Sequence, residues 1–261
     1  MKQSRLTEIR RLLLQQKKLS CDFLCEHFNV SIATIRRDLD LLEKEGTVRR
    51  YYGGAEIIER NEDAIITDII PSWASRESTH FLEKQAIARE VAAMIPDSCT
   101  VYLDSGTTVF EVARLLSYRK NLTLITNSIR AAALLGMNQE LQVYCIGGNI
   151  KADMLTTSGV LANEGLAFFS NIDICVLSAD GFAKSWGIRE WSMENALLKK
   201  AAADRSKKLI VTIDHTKFNS TAPSPVCPTK QIDTLVTDSL ISPDIVESLE
   251  KSGVNVVVAK M

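Results

Sequence analysis

No CxxC pair occurs in this chain, although it carries six cysteines, at positions 21, 25, 99, 145, 175 and 227. Only three histidines accompany them, so a structural zinc site, which needs clustered Cys and His, is not expected. Cys21 and Cys25 read as packing residues on one helix, the usual place for a free cysteine. Disulfides are not expected without an export signal. No apolar run approaches the ~20 residues that span a bilayer. Met1-Lys2-Gln3-Ser4-Arg5 leads into charge rather than an apolar signal core, so a cytoplasmic chain with no membrane partner is expected. G-x-G-x-x-G follows no strand candidate and G-x-x-x-x-G-K-[ST] is missing; neither a dinucleotide nor a P-loop nucleotide is indicated, and no cofactor or metal is expected. Disorder would need low hydrophobicity and strong net charge. Here 46% of residues are hydrophobic and 24% charged.

What is present is unevenly spread. The 261 residues suit one large domain or two modest ones. The net charge of −1 conceals a basic head: residues 1–60 hold 12 Lys/Arg against 9 Asp/Glu, and the remainder holds 19 against 23. A basic head on an acidic body is a modest hint of nucleic-acid contact.

Within the head, Ser4–Gln16 predicts a helix with Leu6, Ile9 and Leu13 on its apolar face. Ser20 offers an N-cap to a short helix, CDFLCEHF, and Asn29-Val30 a turn. Ser31 caps the next helix, IATIRRDLDLLEKE, whose stripe is Ile35, Leu39 and Leu42 and which Gly46 closes. Two helices joined by a short turn behind a supporting helix make a helix-turn-helix. Its second helix enters the major groove by its N-terminal residues, here Ser31, Ile32, Ala33, Thr34, Arg36 and Arg37 with Ile35 turned inward. An Arg fork reaches guanine or a phosphate bidentately. Thr47–Tyr51 and Ala55–Ile58 can pair across Gly53-Gly54 as a wing, carrying Arg49, Arg50, Tyr51 and Tyr52 toward the DNA backbone or minor groove. The plainer alternative is a solvated helix face with an Arg36–Asp40 ion pair.

The segment VSIATIRRDLDLLEKEGTVRRYYGGA resembles the signature of the DeoR/GlpR family of bacterial transcriptional regulators, with Tyr52 where that family often has His. The resemblance implies a DNA operator as partner and Thr34, Arg36 and Arg37 facing it.

Residues 59–78 lose periodicity and read as a linker between a head at 1–58 and a body at 79–261, with an extended piece at Ile65–Ile70 and Pro71 opposing helix. Helix resumes at Thr79–Met94. Seven strand candidates follow, CTVYLD, LTLIT, LQVYCIG, ICVLSAD, KLIVTID, TLVTD and NVVVAK, most of them separated by helices. That alternation predicts a Rossmann-like, mostly parallel α/β domain covered on both faces. Ligands of such sheets sit beyond the strand carboxyl ends, where polar residues gather: Asp104-Ser105-Gly106-Thr107-Thr108, Thr126-Asn127, Gly147-Gly148, Asp180-Gly181, and Asp214 with Lys217. Hydroxyls beside free helix N–H groups suit a phosphate, and the aspartates suit sugar hydroxyls. Turn and cap chemistry alone would need many of the same residue types.

The blocks LDSGTTVFEVARLL, LTLITNS, IGGNI, TSGVLA, DICVLSADGF and IDHTKF, with Lys84-Gln85-Ala86-Ile87-Ala88 before them, extend the DeoR/GlpR resemblance across the body. It implies a sensor domain similar to ribose-5-phosphate isomerase that binds phosphorylated sugars. One segment departs. In REWSMENALLKKAA, Lys199 aligns with a basic position, Asn195 replaces the usual acid and Glu194 sits one residue early. Either the acid has slipped or this pocket edge differs. The expected molecule is a repressor of carbohydrate genes, a dimer or tetramer, released from its operator by a phosphorylated sugar. The rival is an isomerase-like enzyme using Asp104, Asp180, Glu194, Lys199, Asp214 and His215, although a shared fold does not confer activity. A constitutive DNA-binding protein is the third reading.

Overall fold

The computed structural model describes residues 5, 6, 8, 9, 12, 13, 16, 18–44, 48–51, 53–57, 73–184, 186–220 and 222–260. The expectations at Gly46, Thr47, Tyr52, Ile58 and 59–72 lie outside them. The chain divides into two units, Met1–Ile69 and Ile70–Met261.

In the first unit, Leu6, Ile9, Leu12 and Leu13 are helical. The last three are buried with Leu24, Ile35, Leu39 and Leu42 in one core. Arg5 Nε meets the buried Asp38 Oδ2 at 2.6 Å, tying this segment to the recognition helix. Helix α1 (Cys21–Phe28) begins where the Ser20 hydroxyl accepts the Phe23 N–H and ends on Asn29 at φ +49°, a left-handed conformation that asparagine tolerates. Helix α2 (Ile32–Lys44) follows, with the Thr34 N–H donated to the Ser31 hydroxyl. Strands β2 (Val48–Tyr51) and β3 (Gly54–Ile57) pair antiparallel as the expected wing. The sequence did not announce a third strand, β1 (Lys18–Ser20), which pairs with β3. The Gly53-Gly54 pair serves both contacts. Gly53 takes φ +91°, and a Cβ on Gly54 would lie 2.2 Å from the Leu19 carbonyl oxygen.

The second unit opens with α3 (Trp73–Ser78), a helix where the sequence suggested linker. Its anchor is Trp73, 2% exposed and edge-on to Phe110 at 5.6 Å. One buried aromatic holds a segment with no hydrophobic period of its own. After α4 (Phe81–Met94) the chain alternates β4 (Thr100–Leu103), α5 (Thr107–Leu116), β5 (Leu122–Thr126), α6 (Ile129–Leu135) and β6 (Leu141–Cys145). A hairpin of β7 (Asn149–Lys151) and β8 (Thr156–Ser158) leads to α7 (Val160–Ala167) and β9 (Ile172–Leu177). Then come β10 (Gly181–Ala183), β11 (Gly187–Glu190), α8 (Met193–Ala203), β12 (Ser206–Thr212), β13 (Ser224–Cys227), β14 (Thr234–Asp238), α9 (Pro243–Lys251) and β15 (Asn255–Ala259).

Seven strands form one sheet in the order β15-β14-β12-β9-β4-β5-β6. Every pairing in it is parallel. Side-chain alternation sends Val101 and Leu103 to a core under α4 and α5. Tyr102 goes to the opposite core, under α7 and α8. Burial on both faces is why these strands read as unbroken apolar runs. β10, β11 and β13 form a separate antiparallel sheet. The consequential feature is a reversal. The chain runs outward from β4 to β6, then returns to lay β9 on the other side of β4. The crevice at such a switch point, beyond the strand carboxyl ends, is where this architecture binds ligands.

Candidate functional site: a recognition helix and a cleft at the switch point

On the first unit, Ser31, Ile32, Ala33, Arg36 and Arg37 are exposed at the start of α2, Thr34 is half-buried and Ile35 is buried. The Thr34 hydroxyl lies 3.0 Å from the Ser31 hydroxyl. The Arg36–Asp40 pair of the alternative reading is not what forms. Asp40 instead receives the Arg50 guanidinium from the wing, while the Arg50 N–H donates to Glu43 at 3.0 Å. Among the described residues neither Arg36 nor Arg37 has an ion-pair partner, and both forks are open to solvent. Arg49 is exposed, 3.9 Å from Glu56. Tyr51 turns back on the wing: its hydroxyl donates to the Leu19 carbonyl at 3.2 Å, and Lys18 sits over its ring. Arg50 and Tyr51 thus brace the domain, and Arg36, Arg37 and Arg49 remain accessible.

On the second unit, the ends of β4 and β9 are locked together. Asp104 Oδ2 accepts the Ser178 N–H at 3.0 Å and the Ser178 hydroxyl at 2.5 Å. Lys199, on α8, completes the knot: its Nζ lies 2.8 Å from Asp104 Oδ2, donates to the Ser178 carbonyl at 2.9 Å and meets Glu190 of β11. A Cβ on Gly106 would lie 2.0 Å from the Ser178 hydroxyl, so the residue there must be glycine for this approach. Burial pushes the Glu190 carboxyl up to about 8, with Asp180 and Asp104 adding to it and Lys199 opposing. Burial alone would lower the Lys199 ammonium, but Asp104, Glu190 and Asp180 override it and hold the ammonium above its usual range.

Two cavities flank this knot and share Arg76 and Ser178 in their walls. The first, about 240 Å³, is lined by Arg76, Thr79, His80, Lys84, Thr107, Thr108, Asp214, Thr216 and Lys217 among others. Lys84 is 5% exposed. Its ammonium donates to the Thr79 carbonyl at 2.6 Å and to the Arg76 carbonyl. Burial lowers its pKa to about 8, against the raising influence of Asp214. Asp214 caps the short helix His215–Asn219 by accepting the Thr216 N–H at 3.0 Å. Burial would raise its carboxyl, but Lys217 and Thr216 bring it below the usual range. Gly106 caps α5 without a side chain, leaving the N–H groups of Thr107 and Thr108 beside this cavity. The second cavity, about 200 Å³, is lined by Arg76, Ser105, Gly106, Lys151, Asp153, Asp180, Glu190, Trp191, Asn195 and Lys199 among others. Arg76 Nη2 pairs with Asp180 Oδ1 at 3.1 Å, and Lys151 pairs with Glu194 at 3.0 Å.

The cleft therefore brings together Ser105, Gly106, Thr107, Thr108, Asp180, Lys199, Asp214 and Lys217, with Asp104 directly behind Lys199. Other sequence candidates stand outside the walls of both cavities. Asn127 is a buried staple: its amide donates to Thr156 Oγ1 and the Thr157 carbonyl, and its oxygen accepts the Tyr102 hydroxyl. Thr126 caps the following turn through the Ser128 N–H. Gly147 and Gly148 lead into β7, and Gly181 packs its Cα against the Ser220 carbonyl. Glu194 is not the acid at Lys199. It stands at the surface with Lys151 and the Ser158 hydroxyl, and Glu190 holds that place. His215 is engaged by Asp238. Arg76, Lys84, Ser178, Glu190 and Asn195 were not singled out as site residues. One signal was available: Lys84 falls in register with Ile87, Ala88 and Val91, a lysine on the buried stripe of α4.

Residues 5–61 match the model of the DeoR-like helix-turn-helix domain, and residues 79–239 match that of the DeoR C terminal sensor domain. The chain belongs to the DeoR family of transcriptional regulators. The regulator GolR of Listeria innocua is 30% identical over 98% of each chain. The transcriptional repressor AccR of Agrobacterium fabrum is 35% identical over 91% of this chain and 90% of its own. The glycerol-3-phosphate regulon repressor of Escherichia coli is 30% identical over 88% of each. Among solved structures, ribose 5-phosphate isomerase A of Methanocaldococcus jannaschii aligns at 17% identity over 54% of this chain and 55% of its own, with a TM-score of 0.40. Membership of DeoR makes the protein a DNA-binding transcriptional regulator rather than an enzyme. Among the described residues no helix is long and apolar enough to cross a membrane.

Proposed function

We propose that this DeoR-family chain is a cytoplasmic repressor of carbohydrate genes, acting as a homodimer or tetramer, and that a phosphorylated sugar in the switch-point cleft releases it from its operator. The charge balance of the two cavities carries the reading. In the Lys84 cavity, Lys84 and Lys217 have no carboxylate at ion-pair distance among the described residues. Asp214 is the one acid in the wall among the described residues, and the uncapped N-terminus of α5 adds its partial positive charge. An anion of two negative charges, a phosphate monoester, suits that surplus. In the Lys199 cavity every cation has its own carboxylate, which suits sugar hydroxyls. The head supports the DNA half of the reading, since exposed, unpaired Arg36 and Arg37 at the start of α2 sit where a recognition helix meets bases and phosphates. Such helices read paired half-sites, hence the oligomer. Release requires the sugar to bind the DNA-incompetent arrangement more tightly than the other.

The test is thermal stability of the full chain with a panel of sugar phosphates, then operator affinity with those that stabilise, on a duplex selected from a random pool. A native-state ligand at a hundredfold excess over Kd adds about 2.7 kcal/mol of stability. Stabilisation by a sugar phosphate together with weaker operator binding is the expected result. Ligand-insensitive operator binding would return the constitutive reading, and turnover of a sugar phosphate would return the enzyme.

A further inference from the structure

Three helices cover the core on one side of the large sheet. α7 contributes Ala162 and Leu166 to it, α8 Ala196 and Leu198, and α9 Leu249. Their outer faces differ. α9 shows solvent Asp244, Glu247 and Glu250, as a surface helix does. Along α7 and its C-cap the exposed residues are Val160, Leu161, Glu164, Ala167 and Phe168, spaced as one helical stripe. Phe168 is 88% exposed, and Val160 and Leu161 are each more than half exposed. A helix apolar on both faces is normally enclosed. α8, packed beside α7, adds Met193 and Leu197, both also more than half exposed. A groove of about 430 Å³ runs between the two helices, lined by Val160 and Ala167 from one and Leu197 from the other.

We infer that the outer face of α7 and α8 is the interface at which two copies of this chain associate, with Phe168 and Leu197 as its anchors. The five large side chains expose an apolar area on the order of 600 Å², at the top of the range that a monomer leaves in one patch. A standard interface takes about 800 Å² from each partner, a little more than half of it apolar. The face is therefore large enough to hold a dimer without help from another surface. A two-fold axis lays the same face of the second copy on it, apolar stripe to apolar stripe. A partner of strong charge has little to grip here: of the ions around the patch, Glu194 is paired with Lys151 and Lys200 with Asp204.

The test is sedimentation of the full-length protein, without DNA or sugar phosphate, over a range of micromolar concentrations. The inference rests on the reading of this chain as a homo-oligomer, and the wild type tests that reading by itself: a monomer at every concentration overturns both. Phe168→Asp and Leu197→Asp, each made alone, place a carboxylate on the face. Each is expected to weaken self-association at least about thirtyfold, as loss of an interface anchor does. Both positions are exposed in the protomer, so circular dichroism spectra like that of the wild type are expected. Phe168→Ala and Leu197→Ala repeat the measurement without the added charge, should either aspartate variant misfold. Tyr118→Asp is the control. Tyr118 is an equally exposed aromatic, at 86%, just past α5 on the opposite side of the sheet, and this variant should associate like the wild type. An oligomer that none of the α7 and α8 variants loosens, or that Tyr118→Asp loosens as much, overturns the inference and leaves the homo-oligomer standing.

Discussion

The two units treat their cations in opposite ways. The DNA-binding unit leaves Arg36 and Arg37 exposed on α2 and uses Arg5 and Arg50 as braces to Asp38 and Asp40. The sensor unit buries two of its cations in one cleft and repeats the same division there: Lys199 is enclosed by Asp104 and Glu190, while Lys84, among the described residues, is held by backbone carbonyls. A cation already paired with a carboxylate is scaffold. A cation held in place without one has charge left for a ligand. Pairing, rather than residue type, separates the two roles.

The sharpest way to break this comparison is to remove a scaffold cation. Lys199→Met strands Asp104 and Glu190 in the core, and losing one partner of a buried pair costs about 3–5 kcal/mol. A denaturant melt of the purified protein should show that loss, and a melt unchanged from wild type would disprove the scaffold role. Gly106→Ala comes next. Its Cβ cannot coexist with Ser178 in its present place, so about 1–3 kcal/mol of overpacking is expected together with a lost sugar-phosphate response. Arg37→Ala should weaken operator binding by about tenfold or more, roughly 1.4 kcal/mol, with the melting temperature unmoved. Wild-type operator affinity in that variant would mean that α2 does not read the site. The smallest effect is a pH dependence. The Lys84 pKa is lowered to about 8, so in the ligand-free protein its charge is present below that pH and lost above it. Once the phosphate is fully dianionic, above its own second ionisation, its affinity should hold up to about pH 8 and then decline by no more than about tenfold per pH unit, as one proton requires. By the same linkage, folding should gain stability from this group as pH rises from 8 toward its ordinary value of 10.5, because the folded state has already released the proton.

Much of this was legible in the chain. The helix caps at Ser20 and Ser31, the wing across Gly53-Gly54 and all seven strands of the large sheet follow from local chemistry and period. The cleft was legible only in part. Asp104-Ser105-Gly106-Thr107-Thr108 stood out because a polar, glycine-containing strand end before a helix is a local pattern. Thr126 and Asn127 have the same pattern but are engaged within the fold: the Thr126 hydroxyl accepts the Ser128 N–H, and Tyr102, Thr156 and Thr157 take up the Asn127 amide. Glu194 was the natural acid to set beside Lys199 because it lies on the same helix. Glu190, one strand earlier, has the place because β11 runs its Ile188 and Glu190 to the same buried face. Trp73 could not be foreseen as an anchor, because a short segment with one aromatic has no period to read.

By itself the sequence determined the longer helices, the seven strands of the large sheet, the family and the chemical character of the strand ends, because capping, alternation and amphipathic period act over a few residues. Only the tertiary structure decided which of those ends form a site. The sheet order puts β4 beside β9 and so brings Asp104 to Ser178 across 74 positions. Charge balance is a property of that assembled space: whether Lys84, Lys199, Arg37 or Arg50 keeps its charge for a ligand depends on which carboxylate the fold places next to it.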